Sequence, residues 1–541
     1  MPVPPKSALL PTPLTGWPLA VLIGVYLLVG MGHVPWRGDD LTYLGPIHAI
    51  LTDGSWLIPS IAGEPFYEYP PLYYWLGAVL ARAFGWLMPV HDAARLASSL
   101  CAAATLYWTG LAARRLYGDN TGAPAILLGL GSLGLVVHAH ETQPLLAQLA
   151  GMALCYAGLA DMVRRPWAGA RQAGIGAGLT FLAGGLPGMF VTLPLFFAMP
   201  LLCDNCRNGA VPRALAGGLV VALLLGGSWP ALLGWLHPEA LASWWNDELA
   251  ASLPHGNHLQ ALGKMIPLLG WFAWPLWPIA GWALWKNRRA LNTPPVALPI
   301  IASLLAMVAV VTTGPLRPAS TLPILPPLCL LAALGVGTLR RGAANALDWF
   351  AIMAFAFFAI LVWIGWSALY FGWPPGLGRQ LARLAPDLVR SPSTIAAVTG
   401  MFLSLALFTL PVLTTRSTLR GATNWAIGMT LLWCLAVALW QPWFEHTKNY
   451  APVAQALARE LELRPAPCIT RKGLNDTQRA ALDYFNGIKT IHHSADQDCP
   501  AFLVYSADGL PYRPPGDWRT SWEKRLGGGR KTELFRLYRH D

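Results

Sequence analysis

Charged side chains are scarce in this sequence. Only 12% of its 541 residues are Asp, Glu, Lys or Arg, whereas 55% are hydrophobic. Soluble domains carry about 25% charged residues. This deficit, together with repeated apolar runs of about 20 residues, excludes an ordinary soluble protein and predicts an α-helical polytopic membrane protein. The 26 Trp and 15 Tyr residues suit the two interfacial belts of such a protein.

Cysteine is also sparse, and no cleavage motif follows the first apolar run. Eight cysteines in a chain of this length exclude a disulfide-dense scaffold. Cys203 and Cys206 form a single CxxC without the second pair typical of zinc sites, so we interpret them as structural. The run from Trp17 to Val34 lacks a small-residue cleavage site, so we expect a first transmembrane helix that is retained.

Acidic residues are fewer than basic ones, 27 against 38, and the net charge is +11. Most Lys and Arg lie between apolar runs, where positive inner loops control topology, so the charge does not indicate nucleic-acid binding. This pattern predicts about thirteen transmembrane helices in residues 1–444. Within them we expect an outer loop at 35–92, a juxtamembrane or re-entrant helix at 72–88 and a broken helical hairpin at 172–203.

The composition changes from Glu445 onward, and residues 445–541 are typical of a small soluble α/β domain. The segments PCITRKG and AFLVYS are predicted strands. NDTQRAALDYFNG is a predicted helix, with Asn475 or Asp476 as its N-cap and Gly487 at its end. The last residues predict a β-hairpin around Gly527–Gly529.

Two cysteines, Cys468 and Cys499, each border a predicted strand of this domain. If the two strands are parallel neighbours, the cysteines lie side by side. We therefore predict a disulfide, which an outer compartment permits. Two small buried thiols are the alternative.

The stretch from Trp36 to Trp75 concentrates acids and aromatics at a membrane surface. Asp39 and Asp40 are adjacent. Two acids at the edge of a bilayer cost free energy unless they are solvated, so their presence indicates a functional role. They are candidates for acid–base catalysis. Alternatively, both cap a helix that starts near Leu41, where Asp suits the N-terminus.

Further candidates for binding surround this stretch. Tyr67 and Tyr69 flank Glu68 and either contact a ligand with their ring faces or belong to the interfacial belt. His140 and Glu141, close to His138, form a titratable cluster or an ordinary polar turn. A divalent metal is possible at this cluster but not required. The cations available for an anionic ligand include three arginines, Arg37, Arg95 and Arg317.

Several motifs resemble the GT-C glycosyltransferases, and in particular the 4-amino-4-deoxy-L-arabinose transferase-like (ArnT-like) family, which is related to the protein O-mannosyltransferases. The motifs are the acidic pair Asp39-Asp40 followed by Tyr43, then GEPFYEYPPLYYW and AARLASSL. Three later segments match the family less specifically: LAGGLPGMFVTLP, RPASTLPILPPLCLL and the terminal ELFRLYR. The resemblance covers the whole chain. It implies an inverting enzyme that takes a sugar from a polyprenyl (undecaprenyl) phosphate at the periplasmic face of the bacterial inner membrane.

The resemblance also implies roles for individual residues. Asp39 matches the catalytic position, Glu68 matches a family acid, and Arg95 matches the arginine of AARL. Four positions depart from the family pattern. The family has Arg, Lys, an acid and Tyr where this chain has Thr42, Tyr69, Gln143 and Ser320, respectively. The family's basic residues hold the donor phosphate, so the sequence leaves open which cation replaces them.

Several functions fit these features. The best is an ArnT-like glycosyltransferase whose acceptor is lipid A, a polysaccharide or a protein. A protein O-mannosyltransferase-like enzyme is the alternative within enzymes. A lipid-linked sugar transporter is a third possibility, although its charges would lie midway along several helices. A non-catalytic binder of polyprenyl lipids is the fourth, and Thr42 and Tyr69 favour it.

Overall fold

The computed structural model describes residues 11–207, 209–252, 258–313, 316–385, 388, 391–492, 499–512, 514–527 and 532–540. Most of them are helical, as the apolar composition predicts. The helices of the first half are α1 (Gly16–Leu28), α2 (Asp39–Asp53), α3 (Leu72–Phe84), α4 (Val90–Tyr117), α5 (Gly122–Leu130), α6 (Leu133–His138), α7 (Leu145–Asp161), α8 (Pro166–Leu202), α9 (Val211–Leu236) and α10 (Pro238–Ser252).

The second half continues the helical bundle and ends in a small sheet domain. Its helices are α11 (His258–Phe272), α12 (Leu276–Lys286), α13 (Pro294–Thr312), α14 (Leu325–Val336), α15 (Arg341–Phe371), α16 (Pro375–Leu384), α17 (Thr394–Leu413), α18 (Arg420–Thr447), α19 (Ala451–Leu463) and α20 (Asp476–Asn486). A 3-10 helix at Ala319–Ile324 leads into α14. The strands are β1 (Ser60–Ile61), β2 (Glu64–Pro65), β3 (Ile469–Lys472), β4 (Ile491–His492), β5 (Ala501–Ser506), β6 (Trp518–Leu526) and β7 (Glu533–His540).

Eight helices in the described part of the chain are long and apolar enough to cross a membrane. The polytopic helical class is therefore confirmed, whereas the count of about thirteen stays a prediction. Some predicted spans are divided in the structure. The run at 122–138, for example, is split into α5 and α6 at Gly131 and Ser132.

Helix α8 contains a sharp reversal at Gly185. Gly185 has φ +60° and ψ −148°, a conformation that is available essentially to glycine alone. A Cβ on Gly188 would lie 2.8 Å from the carbonyl oxygen of Thr180, eight residues earlier. In a straight helix those residues are about 12 Å apart. The segment is therefore the broken hairpin that the sequence predicts.

The first outer loop folds into short elements rather than into a further span. It contains α2, the β1–β2 hairpin and α3. With 13 residues, α3 extends about 20 Å, which is less than the ~30 Å thickness of the hydrocarbon core. Helix α2 lies against α20, where a Cβ on Gly45 would meet Ala480 at 3.1 Å. The loop is therefore held between the helical bundle and the C-terminal domain.

The C-terminal domain has a five-stranded sheet in the order β4-β3-β5-β7-β6. Strand β3 runs parallel to β4 and β5, and β7 pairs antiparallel with β5 and β6. Asn475 caps α20 in a capping box, and Gly487 ends it at φ +65°, as predicted. Strands β6 and β7 form the predicted hairpin, but residues 528–531 of its turn lie outside the described residues.

The parallel pairing of β3 and β5 brings Cys468 and Cys499 together. Their Cα atoms are 5.6 Å apart, and the two residues form a disulfide. Cys203 and Cys206 of the CxxC motif are buried and are not disulfide-bonded.

Candidate active site

A cavity of about 190 Å³ lies where the first outer loop meets the helical bundle. Helix α2, the segment before α3, the break in α8, helix α10 and the 3-10 helix all contribute to its wall. Its polar lining residues are Asp39, Tyr43, Glu68, Tyr69, Gln148, Glu248, Thr313, Arg317 and Ser320. Among these described lining residues, Arg317 is the only cation.

Asp39 lies in the first turn of α2, half-buried at the cavity wall. Gln143 Nε2 donates a hydrogen bond to Asp39 Oδ2 at 3.1 Å. Gln143 stands where the resembling family has an acid, and here its amide orients the carboxylate. No other described residue donates a hydrogen bond to the Asp39 carboxylate, which lines the cavity.

Asp40 is directed away from the cavity and is 1% exposed. Its carboxylate accepts hydrogen bonds from Arg95 Nη2 at 2.6 Å, from Thr142 N and Oγ1 at 2.8 Å each, and from Trp36 N at 2.9 Å. Burial alone raises the pKa of Asp40, but the Arg95 guanidinium outweighs burial, so the net pKa lies below the ordinary value. The acid that the sequence offered as a second catalytic candidate therefore holds the loop in place.

Glu68 and Arg317 meet at the mouth of the cavity. Glu68 Oε1 lies 3.3 Å from Arg317 Nη1 and accepts from Tyr43 Oη at 3.2 Å. The Tyr69 ring packs edge-on against Tyr43 with centroids 5.5 Å apart. Partial burial raises the pKa of Glu68 above its ordinary value, although Arg317 and Tyr43 oppose the shift. Because the Arg317 side chain is 56% exposed, its guanidinium can turn toward an anionic ligand.

Glu248 lines the same cavity, and no sequence signal marked it. It lies on α10, is 4% exposed, and accepts a hydrogen bond from the Leu186 N–H at 2.6 Å. Burial raises the pKa of Glu248 to about 7, while the Leu186 hydrogen bond opposes the shift. The acid therefore joins α10 to the break in α8.

Two arginines put forward from the sequence do not line the cavity. Arg95 is 1% exposed and is occupied by Asp40, by Asp92 at 2.8 Å and by the His33 carbonyl at 2.7 Å. Arg37 reaches the C-terminal domain, where its Nη1 lies 2.8 Å from Glu533 Oε1. Both arginines therefore support the loop, and of the three arginines only Arg317 lines the cavity.

Three other candidates also lie outside the cavity wall. Tyr67 packs beside the Trp229 and Trp244 cluster. His140 is buried, with its ring nitrogens 2.9 Å from the Val136 carbonyl and 2.5 Å from the Tyr26 carbonyl. Glu141 lies within 3.5 Å of His138 and lines a different cavity.

The positions where the chain departs from the family pattern fall in different surroundings. Thr42 is directed toward the C-terminal domain, where its hydroxyl lies 2.7 Å from Thr477 Oγ1. Tyr69 and Ser320 line the cavity. Ser320 Oγ donates to the Arg317 carbonyl at 2.7 Å and accepts from the Arg317 N–H at 3.1 Å, so it shapes the turn that presents the guanidinium.

The described residues include no set of side chains suited to hold a metal ion. Within the described residues, no three His, Cys, Asp or Glu side chains come together as a set of metal ligands.

Comparisons with known proteins place this geometry in a fold class. No protein-family model matches the chain. The crystal structure of ArnT from Cupriavidus metallidurans bound to undecaprenyl phosphate superposes with a TM-score of 0.69, at 18% identity, over 96% of this chain and 97% of that one. The same protein in the apo state gives a TM-score of 0.68. The chain therefore has the GT-C fold.

Curated relatives agree with this fold. The undecaprenyl phosphate-alpha-4-amino-4-deoxy-L-arabinose arabinosyl transferase of Pseudomonas paraeruginosa is 27% identical over 328 residues, 58% of each chain. A Pseudomonas fluorescens transferase of the same name, numbered 1, is 23% identical over 50% of this chain and 49% of its own. The matches thus span about half to three-fifths of the relatives' length. The chain is therefore similar in sequence to the ArnT transferases over these regions and shares their fold.

Proposed function

We propose that this chain is an integral membrane glycosyltransferase that moves a sugar from a polyprenyl phosphate donor to an acceptor. The observation that carries the proposal is that Asp39, Glu68 and Arg317 line the same cavity. Glycosyl transfer needs a carboxylate near the attacking hydroxyl and a positive charge near the departing phosphate. The cavity supplies one group of each kind.

The proposed chemistry is a single inverting displacement. The acceptor hydroxyl oxygen attacks the anomeric carbon, and its proton passes to the Asp39 carboxylate. The bond between that carbon and the phosphate oxygen breaks, and both electrons leave with the polyprenyl phosphate. Arg317 stabilises the charge on this leaving group, and Gln143 keeps Asp39 oriented.

An apolar groove supports a polyprenyl donor. It measures about 610 Å³ and lies beside the α8 break, between α8, α9 and α10. Phe181, Leu186, Met189, Trp244 and Trp245 are among its lining residues. Leu186 lies in this groove, while its neighbours Gly185 and Pro187 adjoin Glu248 and the polar cavity. The isoprenoid chain is proposed to occupy the groove, with its phosphate at the cavity.

The relatives' names and the positive-inside pattern support a proposal for the location and the substrates. We place the enzyme in the bacterial inner membrane, with the cavity and the C-terminal domain at the periplasmic face. Undecaprenyl phosphate is the proposed carrier, and 4-amino-4-deoxy-L-arabinose is the first sugar to test. Lipid A, a polysaccharide and a protein are the candidate acceptors.

The decisive experiment is a transfer assay with purified full-length protein. The protein is incubated with a radiolabelled undecaprenyl-phosphate sugar and each acceptor, and the release of undecaprenyl phosphate is followed. We expect acceptor-dependent consumption of the donor by the wild type and none by Asp39→Asn. Donor binding without consumption for every sugar and acceptor would instead support the non-catalytic binder. No binding and no consumption would refute both.

A further inference from the structure

A second cavity lies on the far side of the Asp40–Arg95 pair, between the ends of α1 and α18. It measures about 130 Å³, roughly ten times the ~10–15 Å³ that one water needs. The residues that matter for its chemistry are His33, Trp36, Glu141, Trp433, Phe444 and Lys448. None of them lines the candidate active site.

Two buried polar atoms on this wall have no hydrogen-bond partner among the described residues. They are Trp36 Nε1 and His33 Nε2, and the two residues are 9% and 2% exposed. His33 Nδ1 lies 2.8 Å from the Val34 carbonyl and donates to it, so Nε2 carries a lone pair. A buried group without a partner costs about 1–3 kcal/mol. Two residues that line this cavity thus carry one unused donor and one unused acceptor.

The same wall carries one positive and one negative side chain. Lys448 Nζ stands 4.7 Å from the Trp36 ring centroid and 5.6 Å from that of Phe444. In the part of the chain that the structure describes, Lys448 forms no ion pair with a carboxylate. Glu141 contributes the negative charge, and among the described residues its one ion-pair partner is His138 at 3.5 Å. A purely anionic ligand would meet Glu141, and a purely cationic one would meet Lys448.

We propose that the second cavity binds the zwitterionic phosphoethanolamine headgroup of a membrane phospholipid. The phosphate pairs with Lys448 and accepts from the Trp36 indole N–H. The ammonium pairs with Glu141 and donates to His33 Nε2, beside the aromatic faces of Trp433 and Phe444. The cavity lies at helix ends rich in Trp, which is the depth of lipid headgroups.

This site adjoins the candidate active site through the backbone. Glu141 lines the second cavity. The two residues that follow it, Thr142 and Gln143, donate hydrogen bonds to Asp40 and Asp39, respectively. Trp36 also lines the second cavity, and its backbone N–H donates a hydrogen bond to Asp40 Oδ2. An occupied headgroup site therefore stabilises the segments that hold both acids, and bound lipid should raise the melting temperature.

Native mass spectrometry of the full-length protein in detergent tests the proposal. Phosphatidylethanolamine or phosphatidylglycerol is titrated in, followed by glycerophosphoethanolamine or inorganic phosphate as competitor. We expect one phosphatidylethanolamine per chain, bound about tenfold or more tightly than phosphatidylglycerol. Glycerophosphoethanolamine should displace it, and inorganic phosphate should not.

A pair of variants checks the assignment to this cavity. Lys448→Met keeps the aliphatic stem and removes the charge, and should weaken phosphatidylethanolamine binding about tenfold. Lys472→Met removes the same charge from β3, outside the cavity, and should leave binding unchanged. Equal affinity for the two lipids, or wild-type binding by Lys448→Met, would overturn the proposal. Displacement by inorganic phosphate would also overturn it, because the site would then recognise phosphate alone. The wild-type comparison decides the matter if the Lys448 variant fails to fold.

Discussion

Two adjacent acids, Asp39 and Asp40, have different surroundings although the sequence treats them alike. Asp39→Asn should abolish transfer while leaving the melting temperature close to that of the wild type. The reason is that Asp39 accepts one long hydrogen bond from Gln143, which an Asn oxygen can still accept. Donor consumption and thermal unfolding are measured together. Residual transfer near the wild-type rate would remove Asp39 from the mechanism.

Asp40→Asn should act chiefly through stability. It removes a charge that is 1% exposed and paired with the equally buried Arg95. Breaking a buried pair of this kind costs on the order of 3 kcal/mol. The melting temperature should fall by several degrees, and activity should be lost with folding. A stable but inactive Asp40→Asn protein would instead give this residue a catalytic role.

Arg317 is predicted to hold the donor phosphate. Arg317→Gln should weaken the binding of undecaprenyl phosphate by at least about tenfold, because a charge-assisted hydrogen bond contributes about 1.5–3 kcal/mol. Binding is measured by titrating the sugar-free lipid phosphate into the purified protein. Arg383→Gln is the matched control, since it removes an exposed arginine of α16 away from the cavity. Equal affinity of both variants would reject the assignment.

At the scale of elements, the break in α8 shapes both the polar cavity and the apolar groove. Gly185→Ala should destabilise the protein, because φ +60° strains Ala and its Cβ would clash with Glu248 Oε1. We expect a drop of several degrees in melting temperature. Gly281→Ala in α12 is the control, since no atom lies within 4 Å of its Cβ position and Ala favours helix by up to about 1 kcal/mol. A similar response of the two variants would contradict this account.

Glu248 should make the joint between α10 and α8 sensitive to pH. Its pKa is about 7 in the folded protein, above the ordinary value of 4.5. The folded state therefore binds more protons between these values, and stability falls as the pH rises through about 7. Glu248→Gln should lose this dependence while keeping an acceptor for the Leu186 N–H.

Melting temperatures at pH 5.5 and pH 8.5 check this prediction. The wild type should lose more stability between the two values than Glu248→Gln does. Glu239→Gln, an exposed acid on the same helix, should behave like the wild type. If the Glu248→Gln variant and the wild type show the same pH profile, Glu248 does not control the joint.

At the scale of the whole molecule, sequence reasoning reached the fold class and the local part of the cavity. Asp39, Tyr43 and Glu68 lie within thirty residues, so their grouping follows from one loop. Apolar runs and turn signals similarly predicted the helical membrane class, the strands of the C-terminal domain and the ends of α20. These features depend on local periodicity, which a single sequence contains.

The remainder depends on packing between distant segments. Glu248 is one acid among several in a polar loop, and its hydrogen bond with the Leu186 N–H joins residues 62 positions apart. The pairing of Asp40 with Arg95 joins residues 55 positions apart. No local pattern shows which of two neighbouring acids faces inward, so the sequence left Asp39 and Asp40 equivalent except through the family resemblance.

The last prediction concerns how the C-terminal domain holds the first loop. Glu64 of the β1–β2 hairpin accepts from Arg471 at 2.7 Å and lies 2.9 Å from Arg479, two arginines that are 7% and 8% exposed. Glu64→Gln leaves the buried Arg471 guanidinium without a carboxylate partner among the described residues, at a cost of about 1–3 kcal/mol, whereas Arg479 keeps Asp476 at 2.8 Å. We expect the hairpin and α2 to exchange amide hydrogens faster, because their docking is weakened.

Hydrogen–deuterium exchange measured by mass spectrometry tests this docking, with Asp53→Asn as control. Asp53 also joins the loop to the domain, through Lys489 at 2.8 Å, but that pair is exposed and such pairs contribute about 0–1 kcal/mol. Faster exchange in α2 only for Glu64→Gln, with a matching loss of transfer, would show that the domain positions Asp39. If both variants exchange like the wild type, the loop is held by the helical bundle alone.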